Sequence, residues 1–120
     1  MLQITPQMRI FVAVHPVDFR NGIDGLVRIC KEVLRQDPFR GGVFVFRNRS
    51  ATAVKVLVYD GQGFWNCHKR LSLGRFGWWP SAVDENAKTL AAHQLHVLLR
   101  AGDPEGTKAA PDWRPLLPSM

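Results

Sequence analysis

Met8 to Val14 (MRIFVAV) is a short run of apolar, branched and aromatic residues that stops at His15-Pro16, where proline cannot extend a ladder. It predicts a strand. Ile23, Leu26, Val27, Cys30, Val33 and Leu34 then recur at helical spacing, with Asp24, Arg28, Lys31, Glu32 and Arg35 largely on the opposite face. Asn21 is placed to cap this helix, and Asp37-Pro38 to stop it, because proline drives the residue before it out of the helical region. From Gly41 to Leu71 the period changes to two, in the runs 43–49, 53–59 and 64–71. Asp60-Gly61-Gln62-Gly63 between the last two is a hairpin turn, since Asp-Gly readily takes positive backbone angles. After the aromatic stretch Gly74 to Pro80, residues 81–88 show no clear period, and Leu90, Leu95, Leu98 and Leu99 predict a short second helix ended by Gly102.

The order β-α-β-β-β-α predicts an α+β domain over residues 1–102, a mainly antiparallel sheet with the helices on one face. Pro104, Pro111, Pro115 and Pro118 mark residues 103–120 as a loose tail. Hairpin parity puts Val54, Val56 and Val58 on a core face with Trp65 and Cys67. Lys55, Leu57 and Tyr59 then share the reverse face with Phe64, Asn66, His68 and Arg70. If Phe44 and Phe46 point inward, Arg47 and Arg49 join that outer face.

At 120 residues the chain suits one core. No apolar run nears the roughly 18 residues of a membrane span, and the start lacks the charged and apolar regions of a signal peptide, so a cytoplasmic protein without membrane contact is expected. Cys30 and Cys67 suit no disulfide framework and no metal-ligand spacing, and read as buried thiols. The net charge of +6 is uneven: through Pro80, twelve Lys and Arg face five Asp and Glu, a balance of +7, whereas beyond it four face five. A basic folded part suggests a polyanionic partner, and basic groups interleaved with aromatics suit phosphate pairing and base stacking. The same pattern also describes an ordinary wetted sheet face.

His15-Pro16-Val17-Asp18-Phe19-Arg20-Asn21-Gly22-Ile23-Asp24-Gly25-Leu26, Asp37-Pro38-Phe39-Arg40-Gly41-Gly42-Val43-Phe44, Tyr59-Asp60-Gly61-Gln62-Gly63-Phe64, Lys69-Arg70-Leu71 and Gly74-Arg75-Phe76 follow one another in an order that resembles the TnpB accessory proteins of insertion sequence family sixty-six. The resemblance covers about residues 8–80, with a further trace at Gln94-Leu95 and Leu98-Leu99. It departs from the family at Asn21, usually basic, at His68, usually aromatic, and at Ala91, usually a hydroxyl cap. The family implies a small product of a bacterial transposable element that assists transposition beside a separate, larger transposase.

As an enzyme the sequence offers little. Asp18, Asp24 and Asp60 invite comparison with a metal-binding carboxylate triad, but the first two fall where a helix start favours Asp and the third in a turn that prefers it. His93 and His96 lack further ligands nearby, and Cys67 and His68 alternate across a strand. No catalytic residue, metal site or cofactor is assigned. The expected role is noncatalytic binding of DNA, with RNA as the alternative, through Arg47, Arg49, Lys55, Tyr59, His68, Arg70 and Arg75. Trp78 and Trp79 are the expected contact with the element-encoded transposase, one packed and one exposed to the partner. The rival readings are a pure protein adaptor and a small metal-dependent nuclease; a homo-oligomer is left open.

Overall fold

The structure is a computed structural model, described here over residues 4–105. Strands β1 (Ile10–Ala13), β2 (Val43–Arg47), β3 (Ala53–Tyr59), β4 (Phe64–Arg70) and β5 (Ala87–Leu90) form one sheet in the order β4-β3-β2-β1-β5. Helix α1 (Ile23–Glu32) links β1 to β2, the one parallel pair, and helix α2 (Ala92–Leu99) follows β5. The other neighbours are antiparallel, which makes this an α+β fold. Most of the expected tail, residues 106–120, lies outside the described residues.

The helices lie on opposite faces, not on one. Leu26, Cys30 and Leu34 pack with Phe11, Ala13, Phe44, Phe46 and Leu57, while Leu95 and Leu98 pack with Ile10, Val12, Val43, Val45, Val56 and Val58. The cause is in the strands: β1 and the first four residues of β2 are buried at every position, so both of their faces need a cover. Burying these apolar side chains contributes about 1.5–3 kcal/mol each before chain entropy is set against it.

Local chemistry sets the helix ends. Asn21 does not cap α1: Gly22 occupies that position without a side-chain bond, and Asn21 Nδ2 donates back to the Asp18 carbonyl. The Asn21 side chain lies so close over Gly25 that a Cβ there would meet Oδ1 at 2.3 Å. The helix ends before Pro38 is reached. Gln36 N–H donates to the Cys30 carbonyl and the chain turns away through Arg35 at φ +59°. Asp37-Pro38 instead starts a short 3-10 turn, Pro38–Arg40, with the Asp37 carboxylate accepting from the Phe39 N–H. At the end of α2 the left-handed residue is Ala101, at φ +61°, and Gly102 only donates its N–H to the Val97 carbonyl.

Strand β5 was not visible as a period because it has four residues and lies at the sheet edge. Leu90, expected in the second helix, belongs to β5 opposite Ile10, and α2 starts after Ala91, whose N–H is satisfied by Gln94 Oε1. The hairpin register is as expected, with Val56 opposite Cys67 and Val58 opposite Trp65. Trp65 and Cys67 nevertheless stay outside the core, because β4 is an edge strand and neither residue belongs to the cluster under α2; Trp65 is 46% exposed.

Candidate nucleic-acid interface

The loop between β1 and α1 is held by one buried cation. Lys55 points from β3 toward the α1 side, is 7% exposed, and its Nζ donates to the carbonyls of Phe19 (2.8 Å) and Asn21 (2.9 Å). Its ammonium also lies 4.9 Å from the centre of the Phe19 ring, which stands perpendicular to the His68 ring at a 5.5 Å centroid distance. Nearby, Arg20 grips Asp18 through Nε (2.9 Å) and Nη2 (2.6 Å), and that hydrogen bonding holds the Asp18 carboxyl down at about 2. Lys55 is therefore a structural tie and does not belong to an outer basic face.

Arg47 leaves the expected face as well. It stands opposite Val54 on the α2 side, whereas Lys55 stands opposite Phe46 on the α1 side. Its guanidinium lies 5.8 Å from the Trp79 ring centre, and its buried Nε has no partner. Desolvation, followed by repulsion from Arg49, pushes its pKa down from the usual arginine range. Tyr59 sits at the far end of β3, in ring contact with Phe39 and Phe64. The single face expected from parity therefore does not form, because both faces of β2 and β3 are used by the core.

Three of the expected residues do gather. Asn48 Oδ1 accepts from the N–H groups of Thr52 and Ala53, closing the turn that carries Arg49. Leu71 N–H donates to the Thr52 carbonyl and Phe76 N–H to the Ala51 carbonyl, which brings Arg70 and Arg75 to the flanks of the same turn. Arg49, Arg70 and Arg75 are all exposed, and none of the ion pairs seen among the described residues uses them.

Trp78 and Trp79 both pack, half-buried, against the core under α2. Trp79 Nε1 donates to the Ala13 carbonyl at 2.8 Å. The two rings also line an open cavity of about 500 Å³ with Lys88, Leu90 and Gln94.

The carboxylates are occupied locally. Asp60 Oδ1 accepts from the N–H groups of Gln62 and Gly63, and Oδ2 from the Trp65 indole, all of which lower its pKa. Asp24 lies in the first turn of α1. No group of three His, Cys, Asp or Glu side chains is gathered among the described residues. Cys30 is buried and its thiol is pushed up to about 12 by desolvation, while Cys67 is exposed, against the expectation of two buried thiols. No helix among the described residues is long and apolar enough to cross a membrane.

A second basic region escaped the sequence reading. Arg9, Arg35 and Arg40 line a cleft of about 580 Å³ beside Gly41 and Gly42. Arg9 lies far from Arg35 and Arg40 in the chain, and the one local signal is the Arg40-Gly41-Gly42 that ends the 3-10 turn.

Comparison with known proteins shows the family of the chain. An uncharacterized protein of Sinorhizobium fredii, y4hO, is 39% identical over 118 residues, covering 96% of each chain. A second from the same organism, y4jC, is 34% identical over 108 residues, covering 90% of this chain and 91% of its own. No solved structure matches. The family described as IS66 Orf2 like protein matches residues 8–109, and the chain belongs to it, as a TnpB accessory protein of IS66-type insertion sequences.

Proposed function

We propose that this chain, whose family ties it to transposition, is a noncatalytic accessory factor that contacts nucleic acid through the basic edge around the β2–β3 turn. The observation that carries the reading is the convergence of Arg49, Arg70 and Arg75, exposed and outside any ion pair seen, on one turn of a folded part whose charge balance is +7. Such a cluster matches a phosphate backbone, which releases counterions when neutralised. Arg47 supports the edge from the buried side, and Lys55 takes no part.

A salt series with duplex DNA, single-stranded DNA and RNA tests it. Replacing Arg49, Arg70 and Arg75 by Ala should weaken binding and flatten its dependence on log salt by about one unit for each lost phosphate contact. Unchanged binding by the folded triple variant sinks the proposal. The same protein should leave transposon-end DNA uncut with Mg²⁺ or Mn²⁺; cleavage abolished by Asp60→Asn would favour a nuclease. The adaptor reading draws on the cavity beside Trp78 and Trp79, which offers half-buried aromatic rings to a transposase.

A further inference from the structure

The cleft lined by Arg9, Arg35 and Arg40 lies at the opposite end of the sheet from the Arg49 turn. Val43 stands opposite Val58 and Tyr59 opposite Phe64, so the starts of β2 and β4 and the end of β3 meet there. All three arginines are exposed, and none is used by the ion pairs seen among the described residues. Asp37 is the one carboxylate of the lining, and its Oδ1 already accepts from the Phe39 N–H. Arg9 rests 5.1 Å from the centre of the Phe11 ring, which stacks on Phe44. Gly42, at φ +100°, closes the cleft floor against that pair; a Cβ there would meet the Arg9 carbonyl at 3.3 Å and both rings at 3.5 Å.

Arg35 occupies the left-handed position after α1, as Ala101 does after α2, where a Cβ is strained. A further feature points to a ligand. Beside Arg40 on the same 3-10 turn, Phe39 is 49% exposed and meets Tyr59 and Phe64 at 5.0 Å centroid distances. Lys31 lies 5.0 Å from the centre of its ring.

We infer that this end of the sheet binds single-stranded nucleic acid, with backbone phosphate in the Arg9–Arg35–Arg40 cleft and a base stacked on Phe39. A cavity of this size takes a nucleotide-sized ligand. Unpaired bases are what an exposed ring supported by two others recognises, since the bases of a duplex are already stacked. Lys31, exposed beside that ring, adds a further cation at the same place. The inference rests on the nucleic-acid reading of the protein but not on the Arg49 edge.

The test is anisotropy with fluorescein-labelled oligo(dT), oligo(U) and a mixed-sequence duplex, using the full chain. The wild type should bind the single strands more tightly than the duplex. Arg9→Ala with Arg40→Ala should weaken oligo(dT) binding about tenfold or more and reduce the salt slope by roughly 0.7 for each lost contact. Phe39→Ala should cost about fivefold or more with the salt slope kept. Arg35→Gly removes the charge and relieves the backbone, so it should melt at or above the wild-type temperature yet bind less tightly, a result that misfolding cannot produce. The triple Ala variant of the Arg49 edge should lose duplex binding, as the edge proposal requires, and still bind oligo(dT) more tightly than the cleft variants do. If the cleft variants bind as wild type while the edge variant fails, this inference falls and the edge proposal stands; if the wild type binds no oligonucleotide, both fall. Equal binding of duplex and single strand with a neutral Phe39→Ala overturns the single-strand assignment.

Discussion

Lys55 Nζ donates to the Phe19 carbonyl at 2.8 Å and lies 4.9 Å from the centre of the same residue's ring. One ammonium group thus fixes both the backbone and the side chain of the loop that leads into α1, and its second bond, to the Asn21 carbonyl, aligns the residue before the Gly22 cap. A buried amine is stable here because carbonyl dipoles and a ring face replace the water it has lost.

Lys55→Met keeps the length of the stem and removes the donors, leaving two carbonyls to find water or remain unpaired. The expected loss is about 2–3 kcal/mol, read as a melting temperature lower by roughly 10 °C or more. The salt slope of nucleic-acid binding should not change. A variant that melts like the wild type but loses a unit of salt slope would place Lys55 on phosphate instead.

The Asp18 carboxyl is held at about 2, against an ordinary 3.8, first by the Arg20 side chain and then by the Arg20 N–H. Because the folded-state value is the lower one, the stabilisation is complete above about 4 and is lost as pH falls toward 2. The pair is exposed, so its contribution is small. Asp18→Asn should flatten the acid limb of the stability curve between these two pH values, and a carboxyl NMR titration should place the wild-type midpoint near the lower one.

Ala101 carries the left-handed turn after α2, with its N–H bonded to the Leu98 carbonyl. Ala101→Gly removes a Cβ penalty and should stabilise the domain by about 0.5–1 kcal/mol, an increase of several degrees in melting temperature. A lower melting temperature would mean that chain entropy in the unfolded state outweighs the relieved strain.

The two tryptophans should separate. Trp79→Phe loses the bond to the Ala13 carbonyl, about 1 kcal/mol, and Trp79→Ala loses packing under Arg47 as well, about 2–4 kcal/mol. Trp78→Ala should show whether its ring serves a partner. Wild-type melting and DNA binding combined with a lost transposase pull-down would favour the adaptor reading, whereas a lowered melting temperature alone would mean that the ring is core.

Cys67 is exposed on β4, and Cys30 is buried with its thiol pushed up to about 12. A thiol reagent at neutral pH should label Cys67 quickly and leave Cys30 unmodified until the protein unfolds. Rapid labelling of both in the native state would show that α1 opens readily.

Elements whose cause is local were legible from the chain alone. The 3.6 period of α1, the strand run before His15-Pro16, the Asp60-Gly61 hairpin and the parity that sets Val56 opposite Cys67 all depend on neighbours within a few residues. The ordered family motifs were legible for the same reason, and they identified the chain. What lay beyond the sequence depends on contacts between distant segments. Parity shows that Lys55 and Val56 point to opposite faces, but only the positions of α1 and α2 show that both faces are covered. Once they are, an alternating Lys is drawn inward to the Phe19 and Asn21 carbonyls, and Arg47 lies over the Trp79 ring. The pairing of β5 with β1 and the meeting of Arg9 with Arg35 and Arg40 in one cleft have the same origin: they join segments with whole helices or strands between them in the chain, and no local period records such a closure.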